Sequence, residues 1–314
     1  MTGRTAAPVM QAGTWVLLLI LAVLWGSSFL FFKILVAVLP PLTVVLARVG
    51  IAALLLNLWI VLRGGTMPTG WRVWRQFICM GVLNNVIPFT LFVYAEQAIS
   101  SGLAAILNAT TPLFTVLVAH GLTRDETLTQ ARFAGVVAGF CGVAVLIGPQ
   151  ALTGIGQTSL VNQLACLAAA LCYALAAIYG RRFRGIEPIK VATGQVSGST
   201  IVLIPLVAMI DRPWQLGLPG AGTWAAMIAI ALLCTAFAYI LFFRILAQAG
   251  AGNVALVTLV LPFAAMVLGA VFLGEAVPSR AIGGLALIGL GFALIDGRAT
   301  RMVGQWFKPR ASAG

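Results

Sequence analysis

The stretch ETLTQARFAGVVAGFCGVAVLIG, residues 126–148, has a second version in the same chain, EAVPSRAIGGLALIGLGFALIDG, residues 275–297. A glutamate begins each stretch, and three glycines follow it at matching spacings. Upstream of these stretches, Pro112 returns as Pro262, again about 150 residues further along. The ordered set of matched glutamate, proline and glycines indicates an internal duplication.

The chain around this repeat is strongly apolar. Of its 314 residues, 61% are hydrophobic and 8% are charged, and the mean hydropathy is +1.07. Soluble domains are about 25% charged, so the composition excludes a water-soluble protein. A membrane-spanning helix needs about 20 apolar residues, and ten such helices fit. We predict spans at residues 14–33, 42–62, 74–94, 101–120, 130–148, 158–179, 189–210, 222–246, 253–273 and 280–296.

The duplication gives these ten spans an organisation. Five helices per repeat is an odd number, so the two repeats cross the membrane in opposite directions. The predicted fold is an all-α integral membrane protein with ten transmembrane helices as two inverted five-helix repeats. The predicted domains are an N-terminal repeat at 1–150, a C-terminal repeat at 151–297 and a basic cytoplasmic tail at 298–314. Inverted repeats are typical of secondary transporters.

The distribution of Lys and Arg predicts the orientation. With a cytoplasmic N-terminus, fifteen of the 19 cations fall on the cytoplasmic side and three on the other. The positive-inside rule therefore predicts both termini in the cytoplasm. The same rule accounts for the net charge of +12 without a nucleic-acid partner. The expected partners are membrane lipids and a small-molecule substrate.

Polar and aromatic side chains on six spans predict a central cavity. Polar groups within a bilayer need partners or water, so they indicate interior faces, although each one could merely tie two helices together. Pro88, Pro112 and Pro262 are expected to free backbone carbonyls at the same level. The candidate substrate-binding residues are Trp25, Ser28, Asn84, Asn85, Tyr94, Asn108, Thr111, Tyr173, Thr235, Tyr239 and Thr258.

Three charged residues are predicted to be structural. Glu126 and Glu275 stand at the starts of the fifth and tenth spans, where a carboxylate caps free amides, with proton coupling as the alternative. Arg48, inside the second span, is expected to snorkel to the outer interface or bond helix-end carbonyls, with substrate contact as the alternative. Gly135 and Gly139 form a GxxxG motif that fits an internal contact or a dimer seam, so monomer and homodimer both stay open.

Several chemistries are disfavoured. The five cysteines form no CxxC pair and the chain has one histidine, so no metal and no cofactor is predicted. No Asp or Glu falls in the middle third of a predicted span, which disfavours a lipophilic-cation site built on a buried carboxylate. Residue sets for intramembrane hydrolysis are missing as well, so an enzyme is not expected.

Four motifs together resemble one known family. They are WGSSF at 25–29 with Lys33, Arg48 followed by an apolar run, the block at 101–114, and its looser copy at 251–262. In order and spacing they are similar to the ten-helix EamA type of the drug/metabolite transporter superfamily. The sixth span departs from the family pattern, because it has Cys172-Tyr173 where a second WGS would stand.

The resemblance implies a carrier in the bacterial inner (plasma) membrane that works by alternating access, often as an exporter of amino acids or related metabolites. With the cavity above, the expected function is export of small neutral or zwitterionic metabolites, amino acids first, including aromatic and hydrophobic ones. Two alternatives stay open. One is an exporter of drugs or amphipathic toxins, and the other is a passive solute channel.

Overall fold

The computed structural model describes residues 12–122, 129–147 and 157–296, and within them the chain is helical apart from turns and short loops. The described residues form ten long helical units, which we label α1 to α10 in chain order. Their bounds are α1 Ala12–Val36, α2 Pro41–Leu62, α3 Trp71–Ala95, α4 Ser101–Leu122, α5 Gln130–Ile147, α6 Gln157–Tyr179, α7 Pro188–Ile210, α8 Ala221–Ala249, α9 Val257–Leu273 and α10 Ser279–Asp296.

All ten units have the composition of membrane helices. Seven of them are long and apolar enough to cross a bilayer, and α5, α9 and α10 are shorter apolar helices. The units match the ten predicted spans to within a few residues at each end. The prediction of an all-α membrane protein with ten helices is therefore confirmed for the described part of the chain.

The helix contacts come in pairs that the sequence repeat relates. α2 packs on α7, α4 on α9 and α5 on α10, and the two members of each pair hold the same position in their repeats. Other large contacts exchange between the repeats: α1 packs on α9 as α6 packs on α4, and α3 packs on α7 as α8 packs on α2. The two five-helix repeats thus interlock about a pseudo-two-fold axis, which is the inverted-repeat architecture that the sequence predicts.

The repeated glycines form the contact between α5 and α10. A Cβ atom added at Gly135 would lie 2.6 Å from the carbonyl oxygen of Gly291, and one at Gly142 would lie 2.7 Å from that of Gly284. Any larger side chain would push the two backbones apart, which is why small residues occur at close helix contacts in membranes. The motif that begins at Gly135 therefore makes an internal contact between the repeats.

Four units depart from regular α geometry. α3 contains a π-helical turn at Val82–Val86, and α8 contains one at Leu232–Phe237, the equivalent place in the second repeat. α4 is divided into Ser101–Asn108 and Thr111–Leu122, and α9 is preceded by a separate helical turn at Ala251–Val254. The span predicted at 101–120 is confirmed as one unit with a turn inside it, and the span predicted at 253–273 begins four residues later, at Val257. π turns often occur at functional sites, and these lie at the wall of the cavity described next.

Candidate substrate cavity

A cavity of about 680 Å³ lies between the two repeats. This volume falls within the range of about 300–1,000 Å³ that is usual for small-molecule sites. The structure brings together at its wall nine of the eleven residues predicted for substrate binding, from α1, α3, α4, α6, α8 and the start of α9. They are Trp25, Ser28, Asn84, Asn108, Thr111, Tyr173, Thr235, Tyr239 and Thr258.

Asn85 lies behind the cavity wall. Its side chain is fully buried, its Nδ2 donates to Ser199 Oγ at 3.0 Å, and its Oδ1 accepts from Tyr239 Oη at 3.4 Å. Asn85 therefore ties α3 to α7 and α8, which is the alternative role that the sequence left open for such residues.

Tyr94 lies outside the cavity, contrary to expectation. Its side chain is 49% exposed on the outer surface of the bundle. The physical reason is helix periodicity. Phe92, two residues earlier, lines the cavity, and two residues along an α-helix turn the side-chain direction by about 200°. Tyr94 consequently points away from the cavity.

A hydrogen-bonded polar group connects three helices at the wall. Asn84 Nδ2 donates to Gln195 Oε1 at 3.1 Å and to Tyr239 Oη at 3.4 Å. Gln195 lines the cavity from α7, a helix that the sequence analysis did not assign to the wall. A signal was present, because α7 has a run of polar residues within an apolar span. They are Thr193, Gln195, Ser197 and Ser199, all buried.

Prolines interrupt the helical hydrogen bonding of three residues at the wall. Asn84, Asn108 and Thr258 each precede a proline by four positions. Because proline has no N–H, the carbonyl of each of these residues loses its usual helical donor. At Asn108 the Thr111 hydroxyl donates to this carbonyl at 2.7 Å. The prolines concerned are the predicted ones, Pro88, Pro112 and Pro262.

Arg48 lies at the deep end of the cavity, away from its opening, and is 4% exposed. Its Nε donates to Thr235 Oγ1 at 3.0 Å, and its Nη2 donates to Ser28 Oγ at 3.3 Å and the Cys234 carbonyl at 3.4 Å. The expected snorkelling to the outer interface is wrong. α2 packs on α8, and the π turn of α8 presents acceptors at this level, so the guanidinium turns inward.

Buried phenylalanines close the cavity beside Arg48. The guanidinium carbon lies 3.9 Å from the ring centroid of Phe89 and 4.9 Å from that of Phe32. Phe29 packs edge-on against Phe92, with ring centroids 5.4 Å apart. Sequence reasoning missed these four residues, because phenylalanine in an apolar span carries no signal of its own. We call this layer and the helix ends beyond it the closed end.

Side chains at the closed end tie helix termini together. Lys33 Nζ donates to the backbone carbonyls of Glu96 at 2.6 Å and Ile99 at 2.9 Å, which joins the end of α1 to the turn between α3 and α4. Glu275 accepts from Ser101 N at 2.9 Å and from Ser101 Oγ at 2.7 Å. These bonds join the loop after α9 to the start of α4.

The capping role expected for Glu275 therefore needs a correction. We expected it at the start of the tenth span, but α10 begins at Ser279 and Glu275 caps the N-terminus of α4 instead. A carboxylate at that terminus meets the positive end of the helix dipole. Its repeat equivalent, Glu126, lies outside the described residues.

Glu96, just beyond the end of α3, is a buried carboxyl at the closed end. Its side chain is fully buried, and neither carboxyl oxygen has a hydrogen-bond partner in the described part of the chain. Burial raises the pKa of Glu96 well above its usual range; Lys33 opposes this shift, Glu275 adds to it and Arg48 opposes it.

At its other end the cavity reaches the surface. The wall there comes from the segment between α6 and α7, where Arg184, Gly185 and Pro188 are exposed. Arg184 and Arg48 are charged, and none of the described residues at the wall is acidic. The cavity is thus open at one end, closed at the other, and positive in formal charge.

Comparisons with known proteins agree with this architecture. The sequence model of the EamA-like transporter family matches the chain twice, over residues 13–148 and 161–296. The uncharacterized transporter YoaV of Bacillus subtilis is 24% identical over 266 residues, covering 84% of this chain and 90% of YoaV. PecM of Dickeya dadantii is 26% identical over 269 residues, covering 84% of this chain and 86% of PecM.

A solved crystal structure shows the same fold. It superposes on 95% of this chain and 100% of its own with a TM-score of 0.66, at 20% sequence identity. A solute-sized cavity between two inverted repeats defines a multi-pass membrane transporter. The family model covers most of the chain in its two matches, so the chain belongs to the EamA-like transporter family, within the drug/metabolite transporter superfamily.

Proposed function

We propose that this transporter is an alternating-access carrier that exports small neutral or zwitterionic metabolites, amino acids first. The observation that carries the proposal is the cavity itself. It is open at one end and closed at the other, and its described wall holds hydrogen-bonding groups without a carboxylate. A site near the repeat interface that is reachable from one side at a time is what alternating access requires.

The wall offers groups that match an amino acid. At Asn108 and Thr258 the side-chain oxygens, together with the backbone carbonyls that proline leaves without a helical donor, accept hydrogen bonds from an ammonium group. Apolar and aromatic side chains find ring faces nearby: Trp25 packs on Phe242 with centroids 5.5 Å apart, and Tyr173 stacks on Phe92 at 6.1 Å. These surfaces suit solutes with an aromatic or hydrophobic side chain.

The charge distribution supports an orientation in the membrane that is compatible with export. The segment between α6 and α7, at the open end, carries Arg181, Arg182 and Arg184, and the positive-inside rule assigns such a segment to the cytoplasm. In the proposed orientation both termini are cytoplasmic, the membrane is the bacterial inner membrane, and the cavity is in its inward-facing state. A solute in this state enters from the cytoplasm and leaves after the closed end opens.

The alternatives fit the cavity less well. Lipophilic cationic drugs would meet two arginines and no acidic residue at the described wall. A passive channel requires a continuous path, and buried Phe32 and Phe89 interrupt it. The membership in a transporter family supports a carrier without catalytic activity.

The test is counterflow in proteoliposomes loaded with one unlabelled amino acid at a time. Transient accumulation of a labelled trace without an ion gradient is expected for a saturable carrier. Asn108→Ala and Thr258→Ala should lower the rate, whereas Thr115→Ala, a hydroxyl on α4 away from the wall, serves as the matched control. Flux that neither saturates nor shows counterflow would favour the channel. Absence of accumulation for every amino acid, with folded protein, would refute the substrate class.

A further inference from the structure

Arg48 is an incompletely satisfied cation at the wall of a solute-sized cavity. A guanidinium has five N–H donors in a fixed fork. Nε and Nη2 donate to Thr235, Ser28 and Cys234, all of them neutral acceptors. No described residue accepts a hydrogen bond from Nη1. This nitrogen is also not enclosed by other protein atoms. This nitrogen is therefore open to the cavity that Arg48 lines.

The charge of Arg48 also lacks a bonded counter-ion. In the described ranges no carboxylate contacts its guanidinium; Glu96, on the same side of the bundle, is close enough to act electrostatically but makes no bond to it. A buried charge is costly unless it is paired, and a membrane interior offers little water to compensate. The Arg48 guanidinium consequently has no anionic partner in contact with it in the described ranges.

The surroundings of Arg48 hold it ready for an anion. Phe89 and Phe32 lie against the guanidinium, and ring faces stabilise a cation that has no anionic partner. Its bonds to Thr235 on α8 and Ser28 on α1 fix the side chain from two further helices. The two N–H groups of Nη1 remain free to donate to a carboxylate, and such charge-assisted hydrogen bonds are about twice as strong as those between neutral groups.

From these contacts we infer that Arg48 binds the carboxylate of the transported solute, so that the carrier selects carboxylate-bearing solutes. The inference rests on the proposed transport through this cavity and names the chemical class of its substrate. A zwitterion then lies with its carboxylate at Arg48, beside the closed end, and its ammonium group toward the carbonyls of Asn108 and Thr258. Because Arg48 joins α1, α2 and α8, the solute contacts both repeats at the point where the cavity is closed.

The test measures competition by matched solutes. Counterflow of a labelled amino acid is followed in the presence of the unlabelled amino acid, its carboxamide, or the amine that lacks the carboxyl group. Loss of charge-assisted hydrogen bonds should make the last two compounds about tenfold to a hundredfold weaker competitors of the wild-type carrier. In Arg48→Gln this discrimination should fall to about onefold, and in Arg48→Lys it should be intermediate.

Arg63→Gln is the matched control. Arg63 lies at the exposed end of the same helix, against Trp59, and its substitution removes the same charge away from the cavity. It should retain wild-type discrimination. Should Arg48→Gln fail to fold, thermal stabilisation of the purified wild-type protein by the amino acid, but not by its carboxamide, provides the same comparison without a variant.

The outcomes separate this inference from the proposed function. Equal competition by amino acid, carboxamide and amine would overturn the role of Arg48 and would leave the proposed carrier function unaffected. Counterflow of simple monocarboxylates without any counterflow of amino acids would support Arg48 and refute amino acids as substrates. Equal stabilisation of the wild-type protein by all three compounds would also count against the inference.

Discussion

The bond between Glu275 and the start of α4 makes the closed end directly testable. Glu275 accepts from Ser101 N at 2.9 Å and Ser101 Oγ at 2.7 Å, with Gly102 N at 3.4 Å as a weaker third donor. Hydrogen bonds to a charged group contribute about 1.5–3 kcal/mol each. Glu275→Gln keeps one carbonyl acceptor and loses the charge that faces the helix dipole.

The substitution should therefore cost the closed end about 2 kcal/mol. Since about 1.4 kcal/mol is a factor of ten in an equilibrium constant, the open population at this end should rise about thirtyfold. The reporter is Ala95→Cys, fully buried at the end of α3, in a variant without the native cysteines. The assay is the labelling rate with a membrane-impermeant maleimide added from outside.

Faster labelling in Glu275→Gln, with Glu187→Gln unchanged, is the expected result. Glu187 is the control because it pairs with Lys190 beside the open end, 2.9 Å away, so its substitution removes a carboxylate far from the reporter. An unchanged labelling rate in folded Glu275→Gln protein would refute the reasoning, since it would mean that this bond persists when the closed end opens.

Three further predictions follow from the contacts described. Glu96 has a raised pKa in the folded protein. Its contribution to stability is therefore fully present below the unfolded pKa of about 4.3, and it is lost as the pH rises through the folded pKa. The Tm of the wild-type protein should therefore fall more between about pH 5 and about pH 8 than that of Glu96→Gln, and equal slopes would contradict the burial of this carboxyl. Gly142→Ala should lower Tm, at a cost of about 1–3 kcal/mol in free energy of unfolding, because its Cβ would meet the Gly284 backbone. Gly289→Ala, which meets nothing within 4 Å, should not lower Tm, and equal losses would argue against the close contact. Tyr94→Ala should leave counterflow unchanged, and a reduced rate would return Tyr94 to the substrate path.

The sequence predicts the helix count and the repeat because both depend on local or periodic properties. Apolar runs of about 20 residues define spans whatever their neighbours are. The GxxxG motif of Gly135 and Gly139 also predicted a close-packing face, which the structure places between α5 and α10. Nine polar and aromatic cavity residues could be proposed because such groups are rare within membrane spans and need partners there.

Side-chain direction could not be predicted in the same way. A helix that is apolar on every face does not show which face meets its own repeat, so Tyr94 was expected in the cavity and snorkelling to the outer interface was among the roles expected for Arg48. Glu275 caps a residue 174 positions away, and sequence spacing contains no information about such a contact. Gln195 was missed because the sequence does not show that α7 lies beside α3, so the polar run of α7 could not be assigned to the cavity wall.

The contact between α5 and α10 has a mechanical consequence. Where Gly135 and Gly142 meet Gly291 and Gly284, the two backbones are in direct contact, and Ile295 and Leu287 pack beside these glycines. A contact this close leaves the two helices little freedom to change their separation. We therefore expect α5 and α10 to move as one unit when the closed end opens.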